Sequence, residues 1–158
     1  MMKIKGIIDE DTVNYKKICM TIEFPKCSFK CDKECGQSVC QNGALTNSPD
    51  ISINIDRLVE RYVNNPITEA IVYQGLEPLD TWEDVLELTD AFRQQTDDDI
   101  VIYTGYTKCE IRDKVEELKK YKNIVIKYGR YVPNEKTHYD KVLGVDLASD
   151  NQYAEKIS

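Results

Sequence analysis

The sequence predicts an α/β protein: an open, mostly parallel sheet with flanking helices, or a small partial (β/α) barrel. Three observations carry this. Three short β-branched runs, EAIVYQ at 69–74, DIVIYT at 99–104 and NIVIKY at 123–128, are apolar without the alternation of a half-exposed strand, as strands covered on both faces are. Segments of helical period lie between them. The length of 158 residues and 41% hydrophobic content suit one domain, 1–158, with one core of ordinary size.

In chain order, KICMTIEF at 17–24 is a further strand candidate and leads directly into a cysteine-rich loop at 25–42. A helix is predicted over 55–64, with Leu58, Val59, Tyr62 and Val63 inward and NNP at 64–66 stopping it. Trp82, Val85, Leu86, Thr89 and Phe92 share one face of the next helix, and Ile111, Val115 and Leu118 one face of the last. Thr107 and Glu110 have capping-box spacing at its start. KVLGVDL at 141–147 is a weaker strand candidate. Strand, cysteine loop, then alternating helices and strands call for parallel pairing through right-handed crossovers. No internal repeat or linker divides the chain.

The charge balance, 21 Lys and Arg against 28 Asp and Glu, gives a net charge of −7 spread along the sequence. Such a surface repels a phosphate backbone, so no nucleic acid is expected as partner. No apolar run approaches the ~18 residues of a membrane span, and MMKIKGIIDEDT carries charges where a signal peptide is apolar. The expectation is a cytoplasmic protein with no membrane partner.

In a reducing compartment, clustered cysteines are metal ligands or redox groups more often than disulfides. Cys27, Cys31, Cys35 and Cys40 fall within fourteen residues, with no histidine among them. Three readings stand: a structural zinc site, a disulfide or chance cluster, and an iron-sulfur cluster. Zinc sites usually pair C-x2-C knuckles from separated places, whereas the gaps here are three, three and four. Iron-sulfur clusters take thiolates from one short loop, and three ligands leave one iron open.

In a parallel sheet, ligands gather at the carboxyl ends of the strands. Three loops emerge there: the cysteine loop, GLEPLD at 75–80 and GYTKCE at 105–110. Gly75 permits close backbone approach, Pro78 stiffens the turn and Glu77 supplies an anionic acceptor. Tyr103 and Tyr106, around Thr104 and Gly105, are candidates to border a bound ring system. Cys19 and Cys109 read as small core residues, His138 as a solvated loop residue.

CSFKC with a nearby third cysteine resembles the C-x3-C-x2-C loop of radical S-adenosylmethionine (SAM) enzymes, and YQGLEPL resembles their Gly-Gly-Glu-Pro turn. Within that superfamily, IVIYTGYT at 100–107, KYGRYV at 127–132 and ASDNQY at 148–153 are similar, in order, to segments of the anaerobic ribonucleotide reductase activating proteins. The resemblance implies a 4Fe-4S cluster on Cys27, Cys31 and either Cys35 or Cys40. Cys40-Gln41-Asn42 is similar to that family's third ligand and the asparagine that follows it, which favours Cys40. It also implies SAM bound by Gly75, Glu77, Pro78, Tyr103 and Thr104, and no catalytic residue beyond the cluster. The implied activity is an oxidoreductase generating a 5'-deoxyadenosyl radical to activate a large glycyl radical enzyme under anaerobic conditions. Flavodoxin or ferredoxin is the implied electron donor. Leu76 stands where the turn's second glycine would be. The alternative is a non-enzymatic module of the same fold, its four cysteines closing on zinc or a saturated iron-sulfur cluster.

Overall fold

The computed structural model describes residues 1–28 and 43–158. Ten strands lie within them: β1 (Met2–Ile4), β2 (Gly6–Asp11), β3 (Cys19–Phe24), β4 (Ile51–Ile53), β5 (Ala70–Gly75), β6 (Asp99–Tyr103), β7 (Ile124–Tyr128), β8 (His138–Asp140), β9 (Val145–Leu147) and β10 (Tyr153–Lys156). The helices are a single turn, α1 (Gly43–Thr46), then α2 (Ile55–Val63), α3 (Trp82–Arg93) and α4 (Arg112–Leu118).

One six-stranded sheet, ordered β10-β7-β6-β5-β3-β2, organises the chain. Its four central strands are parallel, and the edges β2 and β10 pair antiparallel to β3 and β7. The sheet is open, as in the first of the two predicted architectures.

The apolar runs divide by size between the two faces. Met20, Ile22, Phe24, Ile71, Tyr73, Ile100, Ile102, Ile124 and Ile126 pack with Leu58, Val85, Leu88, Phe92, Val115 and Leu118 of α2, α3 and α4. The residues between them, Cys19, Ala70, Val72, Val101 and Val125, face a thinner layer formed by Tyr15, Leu143 and Leu147. Both faces are therefore covered, which is why the strands lack a polar face. Removing such side chains from water is the main stabilising term.

Several expectations need correction. Val63 is 48% exposed, because α2 ends there and Asn64 caps it. In α3, Leu88 is fully buried and Leu86 only partly. Thr107 and Glu110 do exchange bonds, Thr107 N–H donating to Glu110 Oε1 at 2.9 Å and Glu110 N–H to Thr107 Oγ1 at 3.4 Å. This pair caps the turn ahead of α4. The 141–147 strand shortens to β9, which pairs with β8 as a separate ribbon. His138 thus sits half-buried on a strand, where it pairs with Leu147. Cys109 is exposed, while Cys19 is in the core, its thiol pushed up to about 12 by burial and by the Asp11 charge. No helix among the described residues is long and apolar enough to cross a membrane.

Candidate functional site

The carboxyl ends of β3, β5 and β6 form one rim, and the backbone joins them closely. Phe24 pairs with Gly75 at the end of the β3–β5 ladder. Beyond it, Leu76 N–H donates to Phe24 O at 3.2 Å and Glu77 N–H to Lys26 O at 2.7 Å. Gly75 has φ 91°, and a Cβ there would lie 2.6 Å from Phe24 N. Only glycine fits this crossing of two backbones.

Glu77 caps a 3-10 turn, Pro78–Thr81. Its Oε1 accepts from Leu79 N–H at 3.0 Å and its Oε2 from Gly105 N–H at 2.8 Å. Glu77 as a whole is 6% exposed. Burial pushes it up to about 7, with the Asp80 charge adding, while the Gly105 and Leu79 N–H groups and the Thr104 hydroxyl pull the other way. Desolvation outweighs the hydrogen bonds.

A cavity of about 330 Å³ opens on this rim, and Cys27, Gly75, Leu76, Glu77, Tyr103 and Thr104 contribute to its wall. The sequence-predicted cofactor residues are thus brought together, except Pro78, which is buried at the start of the turn and outside the lining. Tyr103 is fixed by donating its hydroxyl to Asn14 O at 2.6 Å. Tyr106 lies outside the cavity lining and donates its hydroxyl to Asp80 Oδ1 at 2.6 Å. Cys27 is half-buried. Cys31, Cys35 and Cys40 lie outside the described residues.

Lys127, Arg130 and Gln152 also line the cavity; the sequence carried them only within the segments KYGRYV and ASDNQY, with no site role given to Lys127 or Arg130. Lys127 interrupts an otherwise apolar strand, which is the one local signal it offers. It is 7% exposed, donates from Nζ to Gly129 O at 3.0 Å and lies over the Tyr103 ring. Arg130 forks onto Glu110 at 2.8 and 2.7 Å, holding that carboxyl down at about 2. Asn151 and Gln152 act on the turn between them: Asn151 Nδ2 donates to Arg130 O at 2.8 Å and Gln152 Nε2 to Gly129 O at 3.2 Å.

The far end of the cysteine loop is also tied down. Lys5, with a side chain 8% exposed, pairs with Asp50 at 2.9 Å and donates to the carbonyls of Thr46 and Ser48. A soft sulfur donor shares the cavity with glycine backbone, two carboxyls, Glu77 and Asp146, and the cations Lys127 and Arg130, with no histidine among the described lining residues. A thiol beside two cationic side chains suits thiolate-held iron better than a hard-cation cage.

An open α/β sheet whose first core strand feeds a cysteine loop beside a buried carboxyl defines a thiolate metal-binding protein of the α/β class. The model of the 4Fe-4S single cluster domain matches residues 18–152, so the chain belongs to that family and is an iron-sulfur protein. No curated relative and no solved structure gives a significant match.

Proposed function

We propose that the protein is a radical SAM activating enzyme that generates a 5'-deoxyadenosyl radical for a glycyl radical enzyme, such as anaerobic ribonucleotide reductase. The observation that carries this reading is that one cavity at the strand ends has Cys27, Gly75, Glu77, Tyr103 and Thr104 together in its wall. Its volume lies at the lower end of the range for small-molecule sites. A reduced 4Fe-4S cluster, when bound, supplies one electron to the sulfonium of SAM, breaking one carbon-sulfur bond to give methionine and the 5'-deoxyadenosyl radical.

The chain's own residues bind and orient. Cys27, Cys31 and Cys40, or Cys35 in its place, hold the cluster. Each Glu77 oxygen accepts one backbone N–H, and with the Thr104 hydroxyl as a third donor the carboxyl keeps one of its four acceptor sites. The methionine ammonium is received there by a charge-assisted bond. Tyr103 and Thr104 border the rest of the cofactor. The glycyl radical enzyme docks at the open rim, and flavodoxin or ferredoxin supplies the electron.

A second reading, a non-enzymatic four-cysteine module, draws on the same carboxyl. Glu77 is almost fully buried and already serves two backbone donors, and Leu76 replaces a glycine beside it. One assay separates the two. Protein reconstituted anaerobically with iron and sulfide, reduced with dithionite and given SAM is expected to yield 5'-deoxyadenosine, with Cys27→Ala inactive. A stable 4Fe-4S form that gives no product, even with candidate partners present, would establish the saturated module. Uptake of zinc without a cluster would remove the enzyme assignment.

A further inference from the structure

Asp80 closes the 3-10 turn that begins at Glu77, and each of its carboxylate oxygens has a partner on a different loop. Oδ2 accepts from the backbone N–H of Ser28, the residue after Cys27, at 2.8 Å. Oδ1 accepts from the Tyr106 hydroxyl at 2.6 Å. Tyr106 is held in turn by the Arg130 guanidinium, 5.7 Å from its ring centroid, and Arg130 by its fork onto Glu110.

We propose that Asp80 is a positioning residue that sets the reduction potential of a cluster held by Cys27. The inference rests on Cys27 being a cluster ligand and is independent of SAM chemistry. Hydrogen bonds to cluster sulfurs and the net charge around a cluster govern its potential. A peptide N–H beside a ligating cysteine favours the reduced, more negative state when it points at sulfur. Here the Ser28 N–H is spent on Asp80 instead, and Asp80 adds negative charge one residue from the ligand. Both effects make the cluster harder to reduce. Tyr106 works in the opposite sense, because its O–H offsets part of the Asp80 charge. The resulting couple is low in potential, with Tyr106 moderating how low.

The test is a dye-mediated redox titration of the whole chain, reconstituted anaerobically and followed by electron paramagnetic resonance of the reduced cluster. Asp80→Asn keeps an acceptor for Ser28 and removes the charge, so the midpoint rises. Tyr106→Phe keeps the ring under Arg130 and removes the O–H, so the midpoint falls. Cluster content stays unchanged in both. Opposite shifts are the signature that a mere brace does not give. Shifts of the same sign, or an unmoved midpoint in Asp80→Asn, overturn the proposal. Cys27→Ser reports on the underlying reading separately. A native spectrum in that variant removes the ligand assignment and this inference together. A lost or altered spectrum there, beside an unmoved Asp80→Asn midpoint, removes the inference alone.

Discussion

The backbone N–H of Glu77 donates to the carbonyl of Lys26 at 2.7 Å, so the carboxyl turn and the entry to the cysteine loop move as one unit. The Glu77 side chain then carries a pH dependence. Its carboxyl titrates near 7 in the folded protein against an ordinary 4.5. The folded state therefore holds a proton that the unfolded chain has lost between those values. Stability from this group is fully present below about pH 4.5 and is lost as pH rises towards 7. The shift corresponds to roughly 3 kcal/mol at most. Glu77→Gln cannot titrate, and its amide N–H2 must face either the Leu79 or the Gly105 donor. In urea unfolding of the metal-free protein, wild type is expected to exceed the variant by more at pH 5 than at pH 8. An equal margin at both would mean that Glu77 stays ionised in the fold.

Gly75 is the narrowest point of the same junction. At φ 91°, with a Cβ directed to within 2.6 Å of Phe24 N and 2.8 Å of Glu23 Cα, any side chain meets fixed backbone. Left-handed strain alone costs about 1–2 kcal/mol, and the clash adds to it by parting the β3–β5 ladder at its end. Gly75→Ala should lose at least ~2 kcal/mol in urea unfolding. It should also bind less iron per chain after reconstitution, because the ladder end that parts is the one leading to Cys27. Wild-type stability in the variant would show that the two strands separate there without cost.

The central sheet was legible because β3, β5, β6 and β7 are buried on both faces, which writes an unbroken apolar run into the sequence. The edges were not. The β2 sequence, GIIDED, alternates with its burial only in part. The β10 sequence, YAEK, is mostly polar and is fixed by pairing Tyr153 with Tyr128, a partner too remote for any local pattern to reveal. Cysteine spacing and the Glu-Pro turn likewise marked the rim. Asp80 and Arg130 gave no local signal, since each works through a partner on another loop: Asp80 through Ser28 and Tyr106, Arg130 through Glu110. Asn14 acts through a backbone carbonyl, to which any residue type is equivalent.

Lys5 controls the other end of the loop. Its ammonium is buried against the carbonyls of Thr46 and Ser48 and pairs with Asp50, a few residues beyond Cys40. Lys5→Met preserves the apolar stem and removes the donor, leaving the Ser48 carbonyl short of a partner at a cost of about 1–3 kcal/mol. Part of that cost falls on the contact with the Thr46–Asp50 segment. A loss of ~1.4 kcal/mol there multiplies the population in which that segment parts from Lys5 about tenfold. Iron should accordingly pass to a coloured chelator about ten times faster from the reconstituted variant than from wild type. Lys3→Met is the control, because Lys3 lies on β1, two residues before Lys5, with its side chain exposed. Equal release rates in Lys5→Met and Lys3→Met would mean that Lys5 stabilises the fold without affecting how the metal is held.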